Sequence, residues 1–175
     1  MEKRSCVHYY YGDGKGKTTA ALGLCLRAAG AGKRVLVTQF LKGARYSEHS
    51  ALEKLGIAVE GTPAAKKFVF QMTDEERAAA KADCGRVFAL AREAACGGAY
   101  DLVVLDEVTD AVACGMLEES ALAALIEARA DATELVLTGH VPHSVAADCA
   151  DYVTEMKKHR HPYDRGVTAR RGIEF

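Results

Sequence analysis

The chain has 175 residues, 49% of them apolar and 27% charged, with a formal net charge of −1. That length carries a full hydrophobic core, and residues 1–175 read as a single domain. Near-neutral charge gives no electrostatic basis for binding nucleic acid or an anionic membrane, and no apolar run approaches a membrane span.

The opening "MEKRSCVHYYYG" has a short basic flank but no apolar leader before its glycine turn. Cysteines at 6, 25, 84, 96, 114 and 149 form no Cys-x-x-Cys pair. They read as reduced core or surface thiols, which places the protein in the cytoplasm. "CVHYYY" (6–11) predicts a strand running into the turn, and "KTTAALGLCLRAAGAG" a helix ending at Gly30 or Gly32. "RVLVTQFL" (34–41) is apolar at nearly every position, as a strand buried on both faces should be. "SEHSALEKLG" predicts a short helix with Ser47 as cap and Gly56 as stop. "IAVEGTP" leads into a less regular patch, "AAKKFVFQM". The stretch 73–98 opens on Thr73 with an acidic first turn and closes on two glycines, so it predicts a long helix. "YDLVVLDEV" (100–108) and "ELVLTGH" (134–140) are two more buried-type strands, with the helical "LEESALAALIEARA" between them. "DYVTEMKK" (151–158) is a last strand ahead of a basic tail. Strands alternating with helices imply a three-layer open α/β sheet, mostly parallel, with helices on both faces.

"YYGDGKGKTTAALGL" (10–24) sits between strand and helix, where a phosphate-binding loop belongs. The Gly-x-x-x-x-Gly-Lys-Ser/Thr pattern would put its first glycine at Tyr11, but the glycine comes one residue late, at Gly12. A helix start offers unpaired N–H groups and a positive dipole end to an anion. Gly12, Gly14 and Gly16 let the backbone approach phosphate oxygens, Lys17 neutralises their charge, and Thr18 presents a hydroxyl to Mg²⁺. A surface turn rich in glycine and lysine has similar composition, but it need not stand between a strand and an amphipathic helix. "LVVLDE" ends a strand on Asp106 and Glu107, where such an enzyme keeps its metal-binding carboxylate. A turn carboxylate or a helix cap is the lesser reading of that pair alone, and the glycine loop beside it weakens that reading further. Thr138, Gly139 and His140 end another strand, as a phosphate or base sensor or as a plain turn. His140 and His143 lack an evident third partner for zinc. The tail, with Lys157, Lys158, Arg160, Arg165, Arg170 and Arg171, is either a solvated end or an ordered segment bringing positive charge to the phosphates. Its turn residues favour order.

Taken together, "GDGKGKTTAALGLCLRAAGAGKRVLVTQFLKG" (12–43), "VVLDE" (103–107), "LVLTG" (135–139) and "HPYDRGVTARRGIEF" (161–175) resemble the P-loop ATP:corrinoid adenosyltransferases, over essentially the whole chain. The resemblance implies a RecA-like P-loop fold and a shortened loop of the form Gly-x-Gly-x-Gly-Lys-Thr-Thr. It implies transfer of the 5′-deoxyadenosyl group of MgATP (or MnATP) to the Co(I) of a corrinoid, with release of triphosphate, in adenosylcobalamin biosynthesis or salvage. ATP would be held by Gly12, Asp13, Gly14, Lys15, Gly16, Lys17, Thr18 and Thr19, and the metal by Thr18 and Glu107 with Asp106 behind them. Phe68 and Phe70 would press on the corrin in place of the family's Phe-x-Trp pair, since the chain has no tryptophan. The family also implies a homodimer and an electron donor such as a flavoprotein. Where members often carry a longer N-terminal segment over the site, this chain reaches its first strand by about residue 6, so either another element covers the corrinoid or it stays more exposed. A P-loop kinase or nucleoside triphosphatase, or a nucleotide-gated corrinoid-binding module without turnover, remains the alternative.

Overall fold

The computed structural model describes residues 5–42, 46–63 and 69–174. Strand β1 (Val7–Tyr11) runs into the glycine loop and helix α1 (Lys17–Gly30) starts directly behind it. α1 buries Ala21, Cys25 and Ala28 at helical spacing. β2 (Val35–Gln39) is buried at all five positions. α2 (Ser47–Lys54) departs from the expected capping. Ser47 is already helical, and the cap position belongs to Tyr46, whose backbone is extended and which makes no capping bond. Gly56 does stop this helix: its φ of 71° turns the chain back, and Ile57 N–H reaches Leu52 O at 3.0 Å. β3 (Ala58–Gly61) follows, then a single 3₁₀ turn at Val69–Gln71.

The long helix α3 (Asp74–Cys96) begins on a reciprocal capping box. Thr73 Oγ1 accepts from Glu76 N–H at 3.3 Å, and Thr73 N–H donates to Glu76 Oε2 at 2.9 Å. β4 (Leu102–Asp106) is shorter than the expected 100–108. Glu107 takes a left-handed φ of 62°, which ends the strand, and Val108 opens α4 (Val108–Ala113). α5 (Glu119–Ala128), β5 (Glu134–Gly139), α6 (Ser144–Cys149) and β6 (Tyr152–Glu155) complete the layers, with a 3₁₀ turn at Pro162–Arg165 in the tail. The six-residue helices α4 and α6 were not expected from the sequence; neither is long enough to display a helical period.

The sheet order is β3-β2-β4-β5-β1-β6, and every pairing is parallel. Even the continuous apolar strands divide their side chains by the two-residue period. Val35, Val37, Leu102 and Val104 face α1 and α2, in a cluster with Ala21 and Leu52. Leu36, Val103 and Leu105 face the other way, packing with Val87, Phe88 and Ala91 of α3. Register aligns the carboxyl ends of the central strands: Gln39 lies opposite Asp106, and Tyr11 opposite Gly139. Open α/β sheets bind their ligands beyond this edge, next to the crossover where strand order reverses.

Candidate active site

The glycine loop takes the shape its composition allows. Gly12 and Gly16 sit at φ of 115° and 124°, in a region that side chains rarely enter. α1 has no side-chain cap and no acidic residue in its first turn, so its leading N–H groups remain available to an anion. Lys17 is only 8% exposed, and its Nζ donates to Gly12 O at 2.6 Å and Gly14 O at 3.0 Å. It therefore ties the loop into a ring from inside. Burial lowers its pKa, against the opposing pull of Asp110, Glu107 and Asp106.

A second cluster forms where β2, β4 and β5 end. Its hub is Asp106, 1% exposed. Asp106 Oδ1 accepts from the Thr138 hydroxyl at 2.7 Å and the Thr18 hydroxyl at 3.0 Å. Asp106 Oδ2 accepts from Gln39 Nε2 at 3.2 Å and from Lys42 Nζ at 2.6 Å. Lys42 Nζ also donates to Thr18 Oγ1 at 2.9 Å and lies 3.4 Å from Glu107 Oε1. Burial opposes the charge on Lys42, but Asp106 and Glu107 outweigh it and hold its pKa above the ordinary lysine value. Glu107 is placed by its backbone: its N–H donates to Thr138 Oγ1 at 2.8 Å. Burial raises its pKa, with Lys42 pulling the other way. Among the described residues, Thr18 thus touches Asp106 directly, while Glu107 joins the cluster through Lys42. Hard oxygens from one hydroxyl and two carboxylates are a donor set suited to Mg²⁺, and the ammonium they already surround marks the spot as a cation site.

Beside it, Asp110 Oδ1 accepts the His140 N–H at 2.9 Å and Asp110 Oδ2 lies 3.0 Å from His140 Nδ1. That hydrogen bond raises the histidine's pKa.

The tail is ordered against the loop, but it does not deliver the expected charge. Met156 N–H donates to Tyr11 O at 2.7 Å, Gly14 N–H to Met156 O at 2.6 Å, and Lys158 N–H to Asp13 Oδ1 at 2.9 Å. Lys15 Nζ donates to Ile173 O at 3.0 Å and Glu174 Oε1 at 3.2 Å. Arg170 spends its guanidinium on Glu174 at 3.0 Å, and Lys158 pairs with Asp164 at 3.2 Å. What the tail brings to the cleft is His161, Gly172, Ile173 and Glu174. Arg170 and Lys158 are neutralised locally, each by an acid four to six residues further on.

The cleft has a volume of about 870 Å³. Asp13 through Thr19 line it, together with Lys42, Glu107, Thr138 and His140, and it continues between α1 and α2 past Leu22, Leu26 and Leu55. Gly12 stands behind the loop, its N–H donating to His140 O at 3.1 Å. Phe68 lies outside the described residues. Phe70 is in the 3₁₀ turn rather than a strand, and at 81% exposed it is no part of the core. Sequence reasoning missed Lys42 and Gln39; the one available signal was their place at the carboxyl end of a buried strand.

The chain matches the family of ATP:corrinoid adenosyltransferases BtuR/CobO/CobP over residues 3–175. It is 36% identical to the corrinoid adenosyltransferase CobA of Salmonella typhimurium, over 100% of this chain and 88% of that protein. A corrinoid adenosyltransferase of Pseudomonas aeruginosa is 33% identical over 99% of this chain and 85% of its own length. The one from Escherichia coli K12 is 32% identical over 100% and 88%. With a nucleotide-type loop facing a cation cluster, and with likeness running from end to end, the chain belongs to the ATP:corrinoid adenosyltransferase family.

Proposed function

We propose that this protein transfers the 5′-deoxyadenosyl group of ATP to the Co(I) of a corrinoid, working over residues 1–175 as one domain. Co(I) attacks the ribose C5′, the cobalt–carbon bond forms, and the C5′–O bond breaks with its electron pair leaving on triphosphate. The nucleophile belongs to the substrate, so the protein's task is to hold, align and stabilise the leaving group. The α1 N–H groups and Lys17 take the triphosphate. Thr18, Asp106 and Glu107 would hold Mg²⁺, which neutralises phosphate charge when bound. Asp106, whose oxygens already accept from Thr18, Thr138, Gln39 and Lys42, would support that site from behind Thr18 and Glu107. Phe70, exposed in the β3–α3 connection, would meet an apolar corrin face, as the family resemblance implies. The Co(I) state calls for an electron donor such as a flavoprotein, and the family suggests a homodimer. Cysteine spacing favours a reducing compartment, the cytoplasm. No helix among the described residues is long and apolar enough to cross a membrane.

The observation that carries this reading is a phosphate loop one residue short, built against a carboxylate cluster, in a chain matching this family throughout. Product analysis tests it. Incubation with ATP, Mg²⁺ and chemically reduced corrinoid should yield adenosylcorrinoid and triphosphate in equal amounts. Release of ADP would assign the site to a kinase or hydrolase, and tight binding with no product would make it a binding module.

A further inference from the structure

Lys42 is a charged group in the site to which the reaction above gives no task. It stands just beyond β2, with its side chain 12% exposed, and its Nζ contacts Asp106 at 2.6 Å, Thr18 at 2.9 Å and Glu107 at 3.4 Å. These are the three side chains with the oxygens to bind a divalent metal. A lysine that served only to join β2 to β4 would need Asp106 alone. Three-way contact is what an ion at the centre of a coordination shell would make. Lys42 also has somewhere to go, since it lines the cleft and its Nζ lies 5.7 Å from the Tyr46 ring centroid on the cleft wall.

We propose that Lys42 is a resident counter-ion: it occupies the divalent-metal seat while nucleotide is absent, and moves onto the triphosphate as the metal enters. The idea rests on the proposed function for its metal seat and its anionic ligand. Asp106, almost wholly buried, needs a positive partner at all times, because an unpaired buried carboxylate is strongly destabilising. An ammonium supplies that partner without metal. It also blocks metal from binding tightly before ATP arrives, since one cation must leave when another enters. Triphosphate, with several negative charges in the same cleft, gives the displaced ammonium a new partner. Metal and nucleotide would then bind with positive coupling, and Lys42 would be the cause.

The test uses Mn²⁺, read by electron paramagnetic resonance of the free ion, on purified full-length protein. Without nucleotide, Lys42→Met should bind Mn²⁺ roughly tenfold or more tightly than the wild type, since a unit positive charge has left the seat. With ATP present, the same variant should hold MnATP more weakly than the wild type, so the coupling between the two ligands shrinks. Added Mn²⁺ alone should raise the melting temperature of the variant more than that of the wild type. If the methionine variant does not fold, Lys42→Gln, which keeps a donor for Asp106, carries the same measurements. Adding Asp106→Asn to either variant should abolish the gain in Mn²⁺ affinity. Unchanged or weaker Mn²⁺ binding in the single variants overturns the proposal and makes Lys42 a structural tie. None of the nucleotide-free measurements involves corrinoid, so failure of adenosyl transfer would count against the proposed function and leave this result standing.

Discussion

Gly14→Ala should detach the C-terminal segment from the phosphate loop. A Cβ on residue 14 would stand 2.6 Å from Met156 O, 2.7 Å from Met156 C and 2.8 Å from Lys157 C. All three are backbone atoms, so no rotamer can relieve the clash. The existing Gly14 N–H to Met156 O bond at 2.6 Å would break as the loop and the tail part. Overpacking costs about 1–3 kcal/mol and the lost bond about 1 kcal/mol, for a sum of roughly 2–4 kcal/mol. At about 2–4 °C per kcal/mol for a chain of this size, the melting temperature should fall by roughly 5–15 °C. Gly85→Ala is the matched control. Gly85 lies within α3, and a Cβ there meets nothing within 4 Å. Replacing a helical glycine removes unfolded-state freedom, so this variant should gain roughly 0.4–1 kcal/mol. Thermal unfolding by circular dichroism, with and without MgATP, reads both. The variant at 14 should also lose most of its stabilisation by nucleotide, whereas that at 85 should keep it. A Gly14→Ala protein as stable as wild type would mean that the tail does not pack on the loop, and the reasoning here would fail.

Lys17→Ala should lower turnover at saturating ATP by more than about 100-fold, because the contact strengthens as charge develops on the departing triphosphate. Near-normal turnover would leave Lys17 only the task of bracing the Gly12 and Gly14 carbonyls. Phe70→Ala should slow adenosylation from Co(II) with a mild reductant far more than from preformed Co(I), while stability changes by less than about 0.5 kcal/mol at so exposed a position. Equal slowing of both routes would remove Phe70 from the reduction step. Asp101 accepts from Arg34 at 3.0 and 3.1 Å, and this guanidinium holds its pKa down at about 2. A depressed carboxyl stabilises the fold above its unfolded pKa of about 4 and stops doing so as pH falls through its folded value. Urea unfolding should therefore find Asp101→Asn weaker than wild type at pH 7, with the gap closing as pH drops toward about 2; a gap independent of pH would contradict the ion pair.

The parts of this protein that were legible in its sequence are those where local pattern and tertiary demand agree. Val35–Gln39 and Leu102–Asp106 are buried on both faces because the sheet is covered on both sides, and the unbroken apolar runs at 35–37 and 102–105 say so. Thr73 and Glu76 announce α3 through a contact three residues long. Lys42 was not legible, because its role depends on β2 lying beside β4 and bringing Gln39 level with Asp106, a pairing across 67 positions. The tail misled in a different way. Its arginines and lysines suggested a positive lid, but Glu174 and Asp164 sit close enough in sequence to claim Arg170 and Lys158 first. Short helices such as α4 and α6 are fixed by what they pack against rather than by their own periodicity.

The position of β1 has a consequence for how the chain is made. Its two neighbours are β5 and β6, so Val7 meets Leu135, a residue synthesised 128 positions later, and His8 meets Tyr152. While a ribosome is still working through the middle of the message, "VHYYY" has no strand to join, although β2, β3 and β4 can already assemble. An aromatic segment with both edges bare is a substrate for chaperones and a hazard for aggregation. The nucleotide pocket, hung from the end of that strand, must be completed after translation, in a slow step that closes a very long loop.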